Sequence, residues 1–271
     1  MSVVVAGLFV YPIKSCGGVA VERADVDGFG FRDDRRWMVV DGEGGFLSQR
    51  TVPRLATIGV RLADGRLTLS APGVDSLEVV AVPRGAGSER VTVWRHTVAA
   101  RPVSKAADAW LSAHLGLAAR LVWMPPATRR PAKRDPAGIE PRISFADAFP
   151  FLVVSRESLE ALNQRLDDPL PMNRFRPNLV IEGAGPFAED AWARFRIGAV
   201  EFDAGGPCAR CATTTVDQAT GEKGKEPLRT LATFRRQGSE VMFGQNAIHR
   251  GPGEIRVGMS VEVVERSAKQ A

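Results

Sequence analysis

Turn-forming residues cut this chain into pieces too short for long helices or for a repeat array. Gly occurs 27 times and Pro 18 times in 271 residues, and between them stand short runs of β-branched and apolar side chains. Up to about residue 100 these runs cover 3–10, 19–26, 36–41, 55–62, 67–70, 77–82 and 91–99. Each is bounded by Gly, Asp or Pro, as strands joined by turns are. Asp64-Gly65 between two runs signals a hairpin. Helical spacing appears first at residues 104–115, where Ser104 is the expected N-cap and Ala107, Trp110, Leu111 and Leu115 share a face. Residues 119–124 read as a closing strand.

A proline-dense, basic stretch follows, Pro125-Pro126-Ala127-Thr128-Arg129-Arg130-Pro131-Ala132-Lys133-Arg134-Asp135-Pro136. It reads as a linker, a solvated crossover loop. The second half has the same texture. Residues 151–154 are a buried-strand run, and Ser155 caps a helix carrying Leu159, Leu162 and Leu166, stopped by Pro169 and Pro171. Pro227 is expected at the first position of another helix, with Leu228, Leu231 and Phe234 inward. Residues 254–265 alternate as a final strand. There is no repeat and no βαβ alternation of the dinucleotide-binding kind. The expected fold is mostly β (α+β), barrel-like, with a few packed helices, divided into 1–123, a linker over 124–142, and 143–266.

Composition removes several function classes. With 44% hydrophobic and 25% charged residues, the chain buries a real core and is not disordered. No run approaches the roughly 20 apolar residues needed to cross a bilayer, and the apolar opening has neither a basic flank nor a cleavage site. The expectation is a cytoplasmic protein without a transmembrane segment. The net charge of +5 suits an anionic partner. Nucleic acid is not expected, because the arginines are spread among nearly as many acids and no recognition motif accompanies the single tyrosine. Arginine forks around a buried phosphate fit the same charge.

Two of the three cysteines form Cys208-Ala209-Arg210-Cys211. A thioredoxin-like dithiol needs its first thiol at a helix N-terminus, whereas Thr213, Thr214, Thr215 and Val216 downstream favour a strand. A structural zinc site needs four ligands at short spacing, and only Cys16, His96, His114 and His249 remain to supply them. Two cysteines packed in a core satisfy composition equally well.

The surrounding residues carry a resemblance. Pro207-Cys208-Ala209-Arg210-Cys211 through Thr214-Thr215-Val216-Asp217, then Gly221, Glu226-Pro227-Leu228, Phe243-Gly244-Gln245-Asn246 and Ile255-Arg256-Val257-Gly258, resemble the MOSC domain. Upstream, residues 11–18 (Tyr11-Pro12-Ile13-Lys14-Ser15-Cys16-Gly17-Gly18), Asp34-Arg35-Arg36-Trp37, residues 46–50 and Pro53-Arg54-Leu55 resemble the β-barrel domain preceding MOSC in the YcbX and mitochondrial amidoxime-reducing-component group. Phe145-Ala146-Asp147-Ala148 and Arg174-Phe175-Arg176-Pro177-Asn178 complete the pattern. The motifs are collinear over nearly the whole chain. The resemblance implies a MOSC β-barrel domain at 143–266 preceded by a smaller β-barrel-like N-terminal domain at 1–123.

It also implies a pyranopterin molybdenum cofactor whose metal is ligated by Cys211, which makes Cys211 the catalytic residue, with Cys208 left to burial. Soft thiolate donors suit the metal. By motif position Lys14, Ser15 and Arg35 meet the cofactor phosphate, and Arg176 and Asn178 also fall on the cofactor. Asn178 is expected at the pterin ring. Asp147 is an acceptor for pterin N–H groups, Arg210 adjusts the Cys211 thiol, and Asn246 sits near the metal. Trp37, Trp94, Trp110 and Trp123 are expected in the core, and Asp217 in a turn. The implied activity is reduction of small N-hydroxylated compounds to N–H plus water. No iron–sulfur cluster is expected, since no further cysteine set is present. Electrons are then expected from a separate flavin or iron–sulfur protein. A cofactor carrier or sulfur-handling MOSC protein is the competing class.

Overall fold

The computed structural model describes residues 2–85, 87–135 and 138–267. The chain opens with β1 (Val4–Val10), β2 (Val19–Val21), β3 (Arg23–Asp27), β4 (Gly30–Phe31) and β5 (Trp37–Val40). Next come β6 (Gly59–Ala63), β7 (Arg66–Ala71) and β8 (Val74–Val80), then β9 (Glu89–Val93) and β10 (His96–Pro102). Helix α1 (Lys105–Leu115) and β11 (Arg120–Trp123) close the first half. The second half runs β12 (Phe151–Ser155), α2 (Arg156–Asn163), β13 (Leu179–Glu182), β14 (Trp192–Ile197) and β15 (Val200–Ala209). It ends with α3 (Leu228–Phe234), β16 (Arg236–Gln237), β17 (Glu240–His249), β18 (Gly253–Arg256) and β19 (Val261–Arg266). Among the described residues the fold is mostly β with three α-helices.

The largest sheet runs β19-β14-β15-β17-β12-β13-β1-β2, with β16 paired to β17. Strands from both halves share it: β1 is antiparallel to β13, with Val5 opposite Ile181 and Leu8 opposite Leu179. A second exchange pairs β18 with β3. Two strands explain how so few residues serve several cores. On β5, Trp37 and Val39 face one cluster with Leu55, Leu67, Leu111 and Leu121, whereas Met38 and Val40 face another with Val91, Val122 and Phe145. On β12, Phe151 and Val153 pack with Trp192, Phe195 and Phe202, while Leu152 and Val154 pack with Phe175 and Phe243. Period-2 alternation with both faces buried gives the uninterrupted apolar runs of these strands.

Several elements differ from the sequence reading. Residues 55–62 begin as a 3₁₀ turn (Pro53–Thr57) before β6, because Pro53 removes a ladder donor. Residues 91–99 are a hairpin whose loop is Trp94-Arg95, a turn without Gly, Asn or Asp to announce it. Residues 254–265 are two strands in different sheets, broken at Gly258 with φ +86°. Pro227 is the cap before α3. One βαβ unit is present after all: β12 and β13 are parallel around α2, with Val153 opposite Leu179. Ser104 and Ser155 cap their helices as expected, accepting from the amides of Ala107 and Ser158.

Candidate functional site

All nine residues singled out by motif position line one cavity of about 430 Å³ between the two halves. Lys14 and Ser15 come from the loop after β1, Arg35 from the turn before β5, and Asp147 from the loop before β12. Arg176 and Asn178 precede β13, Arg210 and Cys211 follow β15, and Asn246 stands on β17. Arg50, Lys133 and Arg134 bring its cations to seven, against Asp147 and Glu240. Four lining residues hold left-handed backbone: Ser15 (φ 68°), Arg35 (49°), Trp94 (54°) and Arg176 (55°). Such strain costs about 1–2 kcal/mol at each non-glycine residue and gathers where function demands it.

The cations are fixed by a buried frame. Arg35 donates through Nη1 to Asp34 at 2.5 Å and to Asn178 Oδ1 at 2.9 Å. The Asn178 amide donates in turn to Asp34 at 3.1 Å and to the Phe9 carbonyl at 3.2 Å. Its oxygen also accepts from the Leu152 amide at 3.4 Å. This fills its hydrogen-bonding capacity, so Asn178 holds Arg35 in place and is not left for a pterin edge. The guanidinium carbons of Arg35 and Arg176 lie 4.4 and 4.3 Å from the Tyr11 ring centroid. Burial pushes the Tyr11 hydroxyl up to about 12 and Arg176 down to about 10. Arg176 donates to the Cys16 carbonyl at 2.6 Å, while its buried Nη2 finds no partner among the described residues.

Lys14 is likewise committed. It is 5% exposed and donates to the Phe145 carbonyl at 2.9 Å and to Asp147 Oδ1. Burial lowers its pKa, and Asp147 opposes that. For Asp147, desolvation favours the neutral acid, but Lys14 and the Trp94 indole together hold it well below the usual carboxylate range. Both bonds fall on Oδ1. The side chain is 60% exposed, so an acceptor face remains toward the cavity.

The cysteine segment does not form a dithiol. Cys208 ends β15, the Arg210 amide continues the ladder to the Val241 carbonyl at 2.8 Å, and Cys211 is extended at φ −124°, ψ 178°. Both Cys208 and Cys211 are free thiols, not joined in a disulfide. The threonines form a 3₁₀ turn (Ala212–Thr215) where a strand was expected, because Thr214 and Thr215 return hydroxyl bonds to the Cys211 and Ala212 carbonyls. Cys208 is half-buried, not sealed in the core, and accepts from Arg210 Nη1 at 3.0 Å. Arg210 also donates to the Phe175 carbonyl, leaving its buried Nε unpartnered among the described residues. The Cys211 thiol lies 3.4 Å from the Thr213 hydroxyl, a donor available to a thiolate. Bulges at Ala204/Gly206 and Pro207/Ala209 turn this strand end into the cavity. Asn246 braces the first, donating to the Gly206 carbonyl at 3.0 Å. The described residues contain no group of three or more His, Cys, Asp or Glu side chains placed to hold a metal, which removes the zinc reading from them. Cys16 is fully buried, its thiol pushed up to about 12 by burial, and serves the core.

Residues 2–118 match the MOSC N-terminal beta barrel domain and residues 140–262 match the MOSC domain. Mitochondrial amidoxime-reducing component 1 of Mus musculus is 37% identical over 94% of this chain and 80% of its own length. The Homo sapiens protein of the same name is 35% identical over 94% and 81%. The chain belongs to the MOSC-domain family of the amidoxime-reducing components. The molybdenum cofactor sulfurase of Oryza sativa subsp. japonica is also similar, 31% identical over 88% of this chain, which spans only 31% of that protein. The MOSC family membership relates the chain to molybdenum-cofactor proteins. These amidoxime-reducing relatives are named mitochondrial, which does not carry the expectation of a cytoplasmic location. No helix among the described residues is long and apolar enough to cross a membrane.

Within this MOSC protein, the cavity residues not foreseen include Trp94, Arg50, Lys133 and Arg134. Trp94, placed in the core by its apolar run, is 36% exposed and donates to Asp147 at 3.0 Å, with Arg50 stacked 4.4 Å from its ring centroid. Lys133 and Arg134 come from the supposed solvated linker. That segment is a strap: Arg130 is 1% exposed and donates to the carbonyls of Ser144 (2.7 Å), Ala146 (2.5 Å) and Asp147 (3.1 Å), shaping the loop that carries Asp147. Pro136, the last residue of the linker motif, lies outside the described residues. Trp37 and Trp123 are core residues as expected, Trp110 is half-buried, and Asp217 builds its turn by accepting from Ala219 and Thr220 amides.

Proposed function

We propose that this protein is a molybdenum-cofactor-dependent reductase of small N-hydroxylated compounds, fed by a separate flavin or iron–sulfur protein. The observation that supports this reading most is the convergence of Cys211 with Ser15, Arg35, Arg176 and Arg210 on one cavity. The chemistry of the lining fits the cofactor. A thiol is available for a metal, and the unpartnered guanidinium nitrogens of Arg176 and Arg210 match a phosphate dianion in charge. The volume falls within the range of cofactor and ligand sites. When bound, the cofactor would supply the two-electron couple of the reduction.

The chain's own residues bind and orient. Cys211, as thiolate, would hold the metal, and the Thr213 hydroxyl 3.4 Å away would stabilise its charge. Arg176 and Arg210 neutralise the phosphate. Tyr11, Asp34 and Asn178 fix the two guanidinium planes of Arg35 and Arg176 before any ligand arrives, so little reorganisation opposes binding. Asn246 and the bulges set the angle at which Cys211 enters. The relatives' names support an amidoxime as substrate. A second reading, a cofactor carrier without its own turnover, is favoured by the likeness to the sulfurase.

The deciding experiment is molybdenum content and amidoxime turnover with a chemical donor, on protein from a cofactor-competent host. Wild type is expected to hold near-stoichiometric metal, Cys211→Ala to lose it, and Cys208→Ala to retain it. Equal loss in both variants overturns the ligand assignment. Metal without turnover, but with transfer of cofactor to an apo-enzyme, establishes the carrier instead.

A further inference from the structure

A second cavity, of about 260 Å³, shares Trp94, Lys133, Asp147 and Ala148 with the first. Its remaining wall contains Arg95, His96 and Arg130 from the β9–β10 hairpin and the strap. Asp147 is the only carboxylate lining it among the described residues, and Lys14 and Trp94 both donate to its Oδ1, so one negative charge faces Arg95, Arg130 and Lys133. Arg130 is buried with carbonyl oxygens as its hydrogen-bond partners, so its charge is not cancelled by direct pairing with a carboxylate. Ile143, Pro131 and Ala132 give the same cavity an apolar side. Arg35, Arg176 and Arg210 line the first cavity and not the second, Arg95 and Arg130 line the second and not the first, and Lys133 lines both beside Trp94. Low-dielectric walls concentrate the field of such cations and favour a desolvated oxyanion.

We propose that the second cavity is an anion-binding subsite for the tail of an N-hydroxylated substrate whose other end reaches the first cavity. This rests on the function proposed above and adds a substrate class: N-hydroxylated compounds carrying a carboxylate or a phosphate. The Trp94 edge separates the reacting end from the tail, and Lys133, lining both cavities, spans the join. The anion is bound without any covalent step.

Arg95 is exposed and lines the second cavity but not the first, so Arg95→Ala and the charge reversal Arg95→Glu leave the core and the first cavity intact. Molybdenum-loaded protein is assayed with a chemical donor on benzamidoxime, 4-carboxybenzamidoxime and the corresponding phosphate ester. In Arg95→Ala, kcat/KM for the two anionic substrates is expected to fall about tenfold, and further in Arg95→Glu, with benzamidoxime unchanged within twofold in both. The carboxylate and phosphate arms identify which source the seat prefers. Equal effects on all three substrates, or none, overturn the proposal. Loss of molybdenum in either variant also overturns it, because the cations would then serve the cofactor. A defect seen only with a protein electron donor assigns the patch to partner docking and likewise removes the subsite. If wild type turns over nothing, the reductase reading fails. Calorimetric binding of 4-carboxybenzamidoxime to wild type and variant then decides the subsite separately, with equal affinities counting against it.

Discussion

Tyr11 shows how one residue organises the cavity. Its ring stands between two guanidinium groups, and its hydroxyl is buried without a partner among the described residues. Each cation–aromatic contact contributes about 0.5–2 kcal/mol depending on desolvation, whereas a buried, unbonded hydroxyl is a cost. Tyr11→Phe is therefore expected to leave stability unchanged or raise it by up to about 1 kcal/mol, with cofactor content intact. Tyr11→Leu keeps an apolar side chain but removes the platform. It is expected to lose about 1–3 kcal/mol and to lower molybdenum occupancy. Denaturant midpoints beside metal analysis check both; a loss above about 1 kcal/mol in Tyr11→Phe would show that the hydroxyl is bonded. Residue chemistry was legible in the motif around Tyr11, yet the stacking was not, because Arg35 and Arg176 are far apart in sequence. Trp94 was misread for a related reason: an apolar run with no turn residue hides a hairpin tip.

At the scale of elements, a buried acid packed against the βαβ unit was marked by no motif. Glu189 is fully buried and accepts from the Ser155 amide at 3.1 Å and the Ser158 hydroxyl at 2.9 Å, tying α2 to the segment after β13. Burial raises its pKa above the ordinary 4.5. The native state thus holds this proton more tightly than the unfolded chain does. Stability from this group is present below pH 4.5 and declines as pH rises through the raised value, by up to about 1.4 kcal/mol per pH unit. Glu189→Gln keeps an oxygen for Ser155 and carries no charge. The variant is expected to match or exceed wild type at pH 8, and the gap to close toward pH 5. A gap that widens on acidification would reverse the sign and sink the assignment. Strand positions and both serine caps were readable locally, since alternation and capping act within a few residues. The unforeseen parallel pairing of β12 and β13 spans a connection of 23 residues between Ser155 and Leu179, and no local pattern encodes which strand a long connection returns to.

The whole molecule is interlocked across its linker, and this bears on how it unfolds. β1 completes the sheet of the second half, β18 completes that of β3 and β4, and Phe145 packs with Met38 and Val40. Neither the exchange of strands nor its register was available from motifs, which locate residues along the chain and not across it. The cavity lies on this junction, with Lys14, Ser15 and Arg35 from one side and Arg176, Arg210 and Cys211 from the other. Separating the halves would expose the edge of β13, leave β18 unpaired and dismantle the site together. Exposed, unpaired strands favour association over folding. The full chain is therefore expected to unfold in one calorimetric transition, with van't Hoff and calorimetric enthalpies equal. A fragment over residues 143–266 is expected to aggregate. Two resolved transitions, or a soluble fragment with native sheet content, would show the strand exchange to be dispensable. The same junction gives cofactor binding a global consequence: a ligand held from both sides closes the interface as it binds and is expected to raise the single transition, whereas Cys211→Ala, lacking the metal, should melt lower than wild type.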